Sequence, residues 1–214
     1  MKMVRHLVVI TLLGSLVACS SAYYSGLEKV GIPKRDVMVH RVEKARDTQE
    51  ETKAQFKSAL AQFTAVTNFK GGDLEKVYTK LNDEYEASVK QAALVRKRID
   101  DIDSVSNALF TEWAAEIEQY QSVTLKRSSQ QKLTATKQHY QQLMAAMNKA
   151  EAKISPVLSI FKDQVLYLKH NLNARAIASL KNELGSVQSD VGSLVAAMES
   201  SINEANAFIK TVEK

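Results

Sequence analysis

The chain has little of what interrupts a helix. Its 214 residues include two prolines and seven glycines, too few for a collagen-like repeat or for the turn-rich connections of a many-stranded β domain. It has one cysteine, so no disulfide can form within it and a disulfide-stapled scaffold is excluded. It also lacks an apolar run long enough to span a bilayer. The longest, Leu7 to Ala18, holds twelve residues, about 18 Å of helix against roughly 30 Å of hydrocarbon. What is present is enough for one domain with a core, since 45% of residues are hydrophobic and 25% are charged.

The short apolar run sits where an export leader would. Lys2 and Arg5 precede it, and Leu16-Val17-Ala18 leads directly into Cys19. A basic start, an apolar middle and a small residue before the cut are the physical marks of a secretory signal, expected to be removed over residues 1–18. Leu-Val-Ala-Cys also resembles the lipobox of bacterial lipoproteins. That resemblance implies a diacylglycerol on Cys19, which becomes the new N-terminus and is then N-acylated. The alternative is an ordinary cleavage near Ala18 that leaves a free thiol. Acylation accounts for the odd cysteine, because the mature domain then holds no thiol at all. Two or three acyl chains exceed what stable anchoring needs. Ser20 and Ser21 stand where an aspartate would retain the protein in the inner membrane, so the lipobox resemblance implies the outer membrane, facing the periplasm. Loss of residues 1–18 removes Lys2 and Arg5 and no acid, leaving 27 basic against 24 acidic side chains. The sequence pI of about 9.1 is thus weak grounds for nucleic acid as a partner.

Residues 19–33, the acylated Cys19 with a small polar stretch after it, read as a tether. Tyr23 and Tyr24 are expected either at the headgroup level or packed on the domain. Lys29 to Arg46 carries six basic residues against Asp36 and Glu43, a balance suited to an anionic headgroup surface or to a solvated helix face.

From residue 34 to 214 the pattern is helical throughout, and reads as a single domain. Val42, Ala45, Thr52, Phe56, Leu60, Phe63 and Val66 recur at helical steps, ending at Gly71-Gly72. Asp73 can cap a second helix that runs from Leu74 to about Tyr120. A break is expected over Ser122 to Ser129, with Ser128 or Ser129 as the next cap. A third series runs from Leu133 to Leu172, and a fourth from Ile177 to Val212. Pro156 falls inside the third series without disturbing its phase, so a kink is favoured over a turn. Long amphipathic helices with short breaks fold back on one another. The expected fold is all-α, an elongated antiparallel bundle of three to four long helices with coiled-coil-like packing.

Motifs for catalysis are missing. No glycine precedes a lysine as a phosphate-binding loop requires, and there is no G-x-S-x-G nucleophile elbow. The Glu-x-x-His pairs of di-iron bundles are also absent, and His40, His139 and His170 are not spaced to share a metal. No catalytic residue, metal ligand or cofactor is expected beyond the covalent lipid on Cys19.

Several stretches together resemble one family of bacterial proteins, domain of unknown function 2959. They are Lys34-Arg35-Asp36 with Arg41-Val42-Glu43, Phe56 to Leu60, Leu109-Phe110 before Glu112-Trp113, Pro156-Val157-Leu158, and the segment from Phe161 to Ala174. The resemblance implies one coherent domain and assigns no activity. The last segment contains Asp163, Lys169, His170, Asn171 and Asn173, a candidate interaction motif or an interhelical corner capped by asparagines. The expected function is a non-enzymatic envelope lipoprotein acting as a helical scaffold or protein-interaction module, with a lipid-handling or membrane-surface module as the alternative. Its expected partners are the membrane through the anchor, and an envelope protein or a second copy of the chain.

Overall fold

The computed structural model describes residues 23–212, so the expected leader and Cys19 lie outside the described residues. Five helices follow one another: α1 (residues 23–29), α2 (Lys34–Thr67), α3 (Leu74–Ile117), α4 (Val123–His170) and α5 (Ala174–Val212). The four long helices form a closed ring in which α2 packs on α3 and α5, and α4 packs on α3 and α5. Each neighbour runs antiparallel. Lys34 pairs with Glu112 and Gln55 with Glu84 across α2 and α3. Arg46 meets Asn206 and Lys53 meets Glu199 across α2 and α5. Trp113 bonds Ser129 and Arg96 bonds Glu151 across α3 and α4.

The long helices form because their apolar residues return every three or four positions and one stripe of each can be buried. Val42, Phe56 and Phe63 of α2 are fully buried, as are Ile102 of α3, Leu143 and Met147 of α4, and Leu194 and Met198 of α5. The ring Phe161 of α4 crosses the centre to meet Phe56 and Phe63 of α2, with centroids 6.4 Å apart in both pairs. Joints are short. Gly71 and Gly72 adopt φ values of 141° and 118°, a region that disfavours side chains and that turns α2 into α3. Asp73 then accepts the amide of Lys76 at 3.2 Å.

Pro156 lies inside α4, which continues through it. Pro156 and Ala152 both face solvent, so the carbonyl that loses its helical partner is hydrated, and Ile154, Val157 and Phe161 stay buried on the opposite face. The expected break before α4 is shorter than its sequence suggested. Ser122, not Ser128 or Ser129, caps the helix by accepting the amide of Leu125 at 3.4 Å. The first two turns of α4 expose Val123 and Leu125, so no buried stripe marks them. Ser129 is buried and serves a different purpose, accepting Trp113 Nε1 at 2.9 Å. Likewise α2 stops at Thr67, four residues before Gly71, and α3 stops at Ile117.

The described part of the expected tether also departs from that reading. Residues 23–29 are helical and lie on the bundle. Tyr24 is 2% exposed, its hydroxyl 3.0 Å from Ser104 Oγ of α3. A buried ring with a hydrogen-bonded tip holds seven residues that could not form a stable helix alone.

Candidate interaction surfaces

The ring gives the rod two different ends. The near end gathers the start of α2, the end of α3, the start of α4 and the end of α5, together with α1. The far end gathers the Gly71-Gly72 turn and the corner between α4 and α5. With 34 residues in α2 and 48 in α4, the two ends lie about 50 to 70 Å apart.

At the near end, charge is organised around α1. Lys34 is buried, and its ammonium bonds Glu112 at 2.8 Å and pairs with Glu28 of α1. Burial opposes that charge, but the bonds from Glu112 and Glu28 outweigh it and raise the lysine above its ordinary range. The same bond from Lys34 holds Glu28 below the usual carboxylate range. Two turns along α2, Arg41 covers the Tyr24 ring at 5.5 Å and bonds both the side chain and the carbonyl of Asp101. On the neighbouring pair, Tyr140 of α4 donates to Asp103 of α3 at 2.8 Å. Burial pushes this hydroxyl up to about 12, and the adjacent carboxylate adds to the effect.

The near end is also where apolar side chains stand in solvent. Val30 and Ile32 follow α1, while Tyr120, Val123 and Leu125 surround the turn from α3 to α4. Between Glu118 and Glu151 the sequence has no acidic residue and carries Lys126, Arg127, Lys132, Lys137 and Lys149. The start of α4 is therefore cationic and partly apolar, with no acid in its first turn to offset the positive helix terminus.

The far corner contains the candidate motif. Asn171 caps α4 and its side-chain amide donates to Tyr167 O at 2.9 Å. Asn173 opens α5, its side chain accepting the amide of Ala176 at 3.0 Å. These two residues are structural caps. Asp163, Lys169 and His170 are exposed, beside Leu166, Tyr167 and Leu172 at 47%, 40% and 41% exposure. The structure thus brings the five sequence-marked residues to one corner and divides them into two caps and three solvent-facing groups.

Residues 23–212 match the family described as protein of unknown function, DUF2959. The chain belongs to that family. No curated protein matches it. The DUF2959 match begins at Tyr23, so α1 is part of the matched domain.

Inside the DUF2959 bundle, sequence reasoning missed one layer. Gln49 of α2 is 1% exposed and both its amide atoms lack a partner among the described residues. Ser201 of α5, at the same level by the register of Lys53 with Glu199, is also buried with an unpaired hydroxyl. Thr48, Thr52 and Ser88 complete a polar belt in the middle of the rod. Of these only Thr52 stood on the stripe read from the sequence; Thr48, Gln49, Ser88 and Ser201 are polar residues whose types give no warning that they are inside. Among the described residues, no group of three or more His, Cys, Asp or Glu could hold a metal ion, and no helix is long and apolar enough to cross a membrane.

Proposed function

We propose that this DUF2959 protein is a non-enzymatic envelope lipoprotein, anchored through an acylated Cys19 in the outer membrane and facing the periplasm. Its bundle, packed as a coiled-coil-like rod, acts as a scaffold or protein-interaction module. The observation that carries this reading is the far corner. Leu166, Tyr167 and Leu172 remain exposed there, about 50 Å from the N-terminal end, although the Asn caps already satisfy the backbone. Apolar side chains that neither cap nor core requires, ringed by Asp163, Lys169 and His170, suit a surface that meets another protein.

The test is cross-linking in intact cells with recovery of the lipidated protein. A specific protein attached to wild type, lost in Cys19→Ala and lost in Leu166→Glu with Leu172→Glu, supports the reading. A partner set that both variants retain, or self-cross-links alone, overturns the adaptor form.

A lipid-handling module is the second reading, favoured by one cleft. About 520 Å³ opens at the near end between Leu109, Trp113, Ala135 and Val212, with Arg35 and Lys132 at its rim. Lipid that copurifies with the protein and is lost in Trp113→Glu would shift the weight to this reading.

A further inference from the structure

The chain joins the bundle on its flank and not at its tip. α1 runs back against α2: Tyr24 reaches Ser104 and lies under Arg41, whereas Glu28 reaches Lys34 at the start of α2. Ser104 precedes the end of α3 at Ile117 by thirteen residues, about 20 Å along the axis. Four peptide steps separate Cys19 from Tyr23, a reach of about 14 Å at full extension. A lipid on Cys19 therefore holds this flank close to the bilayer, whatever path the intervening residues take.

That flank carries a groove of about 440 Å³ between α1, α2 and α3. Tyr23, Leu27, Ile32 and Val37 give it apolar walls, and Arg41, Lys44 and Arg98 with His40 give it cationic ones. Its two carboxylates are already engaged. Asp36 pairs with Arg35 at 3.2 Å. Asp101 is shared by Arg41 at 3.2 Å, Lys97 at 2.9 Å and Arg98 at 3.7 Å, so three cations depend on one anion. Arg98 Nε is buried and finds no acceptor among the described residues. A half-buried guanidinium held only by a long pair to an already shared carboxylate, in a groove with excess positive charge and apolar walls, fits a ligand that is anionic at one end and apolar at the other.

We propose that this groove holds the headgroup phosphate of an anionic phospholipid in the bilayer where the chain is anchored, so that the bundle lies on the membrane by its α1 flank. Arg98 and Lys44 face the phosphate, and Leu27, Ile32 and Val37 line the apolar part. Val30 and Ile32, 72% and 43% exposed on the turn after α1, enter the interfacial layer. The assignment rests on the membrane-anchored reading of Cys19, and its test separates the two.

The full lipidated protein is reconstituted into vesicles of phosphatidylethanolamine with or without phosphatidylglycerol. An environment-sensitive fluorophore is placed through Val30→Cys at the groove or through Leu172→Cys at the far corner. With phosphatidylglycerol present, the probe at 30 shifts to the blue and is quenched by spin-labelled lipid, while the probe at 172 stays aqueous. Lys44→Gln with Arg98→Gln lowers that quenching by about fivefold with an unchanged melting temperature. Lys44→Gln alone, at an exposed position, lowers it in the same direction. A probe at 30 that stays aqueous, or quenching that depends on neither phosphatidylglycerol nor the two cations, overturns the groove. Maleimide labelling of the wild-type thiol reports separately on the anchor. If Cys19 reacts, the anchored reading fails. Sedimentation of that unanchored protein with phosphatidylglycerol vesicles, abolished in the double variant, then supports the groove, and its absence overturns it.

Discussion

The two halves of the rod are held together by different chemistry. Towards the far end, Phe56, Phe63 and Phe161 fill the centre with dry rings, and beyond Lys53 with Glu199 no ion pair joins two helices among the described residues. Towards the near end, aromatic rings keep a polar tip in use: Tyr24 on Ser104, Trp113 on Ser129, Tyr140 on Asp103. Ion pairs at Lys34 and Arg41 tie α1, α2 and α3 to one another. Apolar contacts are non-directional and suffice where long stripes meet. A seven-residue helix has no long stripe, so directional bonds must fix where α1 lies.

That contrast can be broken from either side. The largest effect is expected from Phe161→Ala, which empties the aromatic centre and costs about 4 kcal/mol in chemical denaturation. Hydrogen exchange should show the far half opening first. Lys34→Met is expected to cost about 2 kcal/mol, because Glu28 and Glu112 then face each other near the surface with no cation between them; the figure is discounted for carboxylates about one-third exposed. The pairing also responds to acid. Glu28 is held below the ordinary carboxylate range, so its contribution is present above that range and is lost as pH falls through the lowered value. The protection factors of residues 24–29, corrected for the intrinsic slowing of exchange in acid, should therefore fall on acidification before those of Phe56 or Phe161 do.

Gln49→Leu sharpens the comparison from the middle. Removing two unpaired buried polar atoms should raise stability by about 1.5 kcal/mol, read as a higher denaturation midpoint, and should weaken the belt that separates the halves. Asn173→Ala removes a single cap at the far corner and should cost about 1 kcal/mol. The last effect is alkaline. Tyr140 titrates at about 12 against an ordinary 10.0, so the stability it lends is whole below the ordinary value and is lost as pH rises to about 12. Ultraviolet titration should show one late tyrosine, absent in Tyr140→Phe.

How much of this was legible follows from length. α2, α3, α4 and α5 announce themselves because a stripe repeated over about nine or more turns survives a few exceptions such as Pro156. The caps Asp73, Asn171 and Asn173 were also visible, since short polar residues between two stripes have few other uses. α1 was not, because seven residues hold too few repeats to show a period and its two glycine and proline neighbours resemble a spacer. The first turns of α4 were missed for the opposite reason: they bury no apolar side chain, so they carry no stripe. At the candidate surfaces, the far corner was marked by the family resemblance of Phe161 to Ala174 and by its two asparagine caps. The groove beside α1 joins Tyr23, Arg41 and Arg98 from three elements, and no local pattern connects positions that far apart.

One consequence of the ring concerns how the fold is completed. The second flank of α2 is covered by α5, the last of the described helices in chain order. Until α5 packs, Val42, Phe56 and Phe63 have half their partners, and the loop that must close spans nearly the whole domain. Completion is therefore a long-range event, and the ring stays open until α5 is available to pack on both α2 and α4.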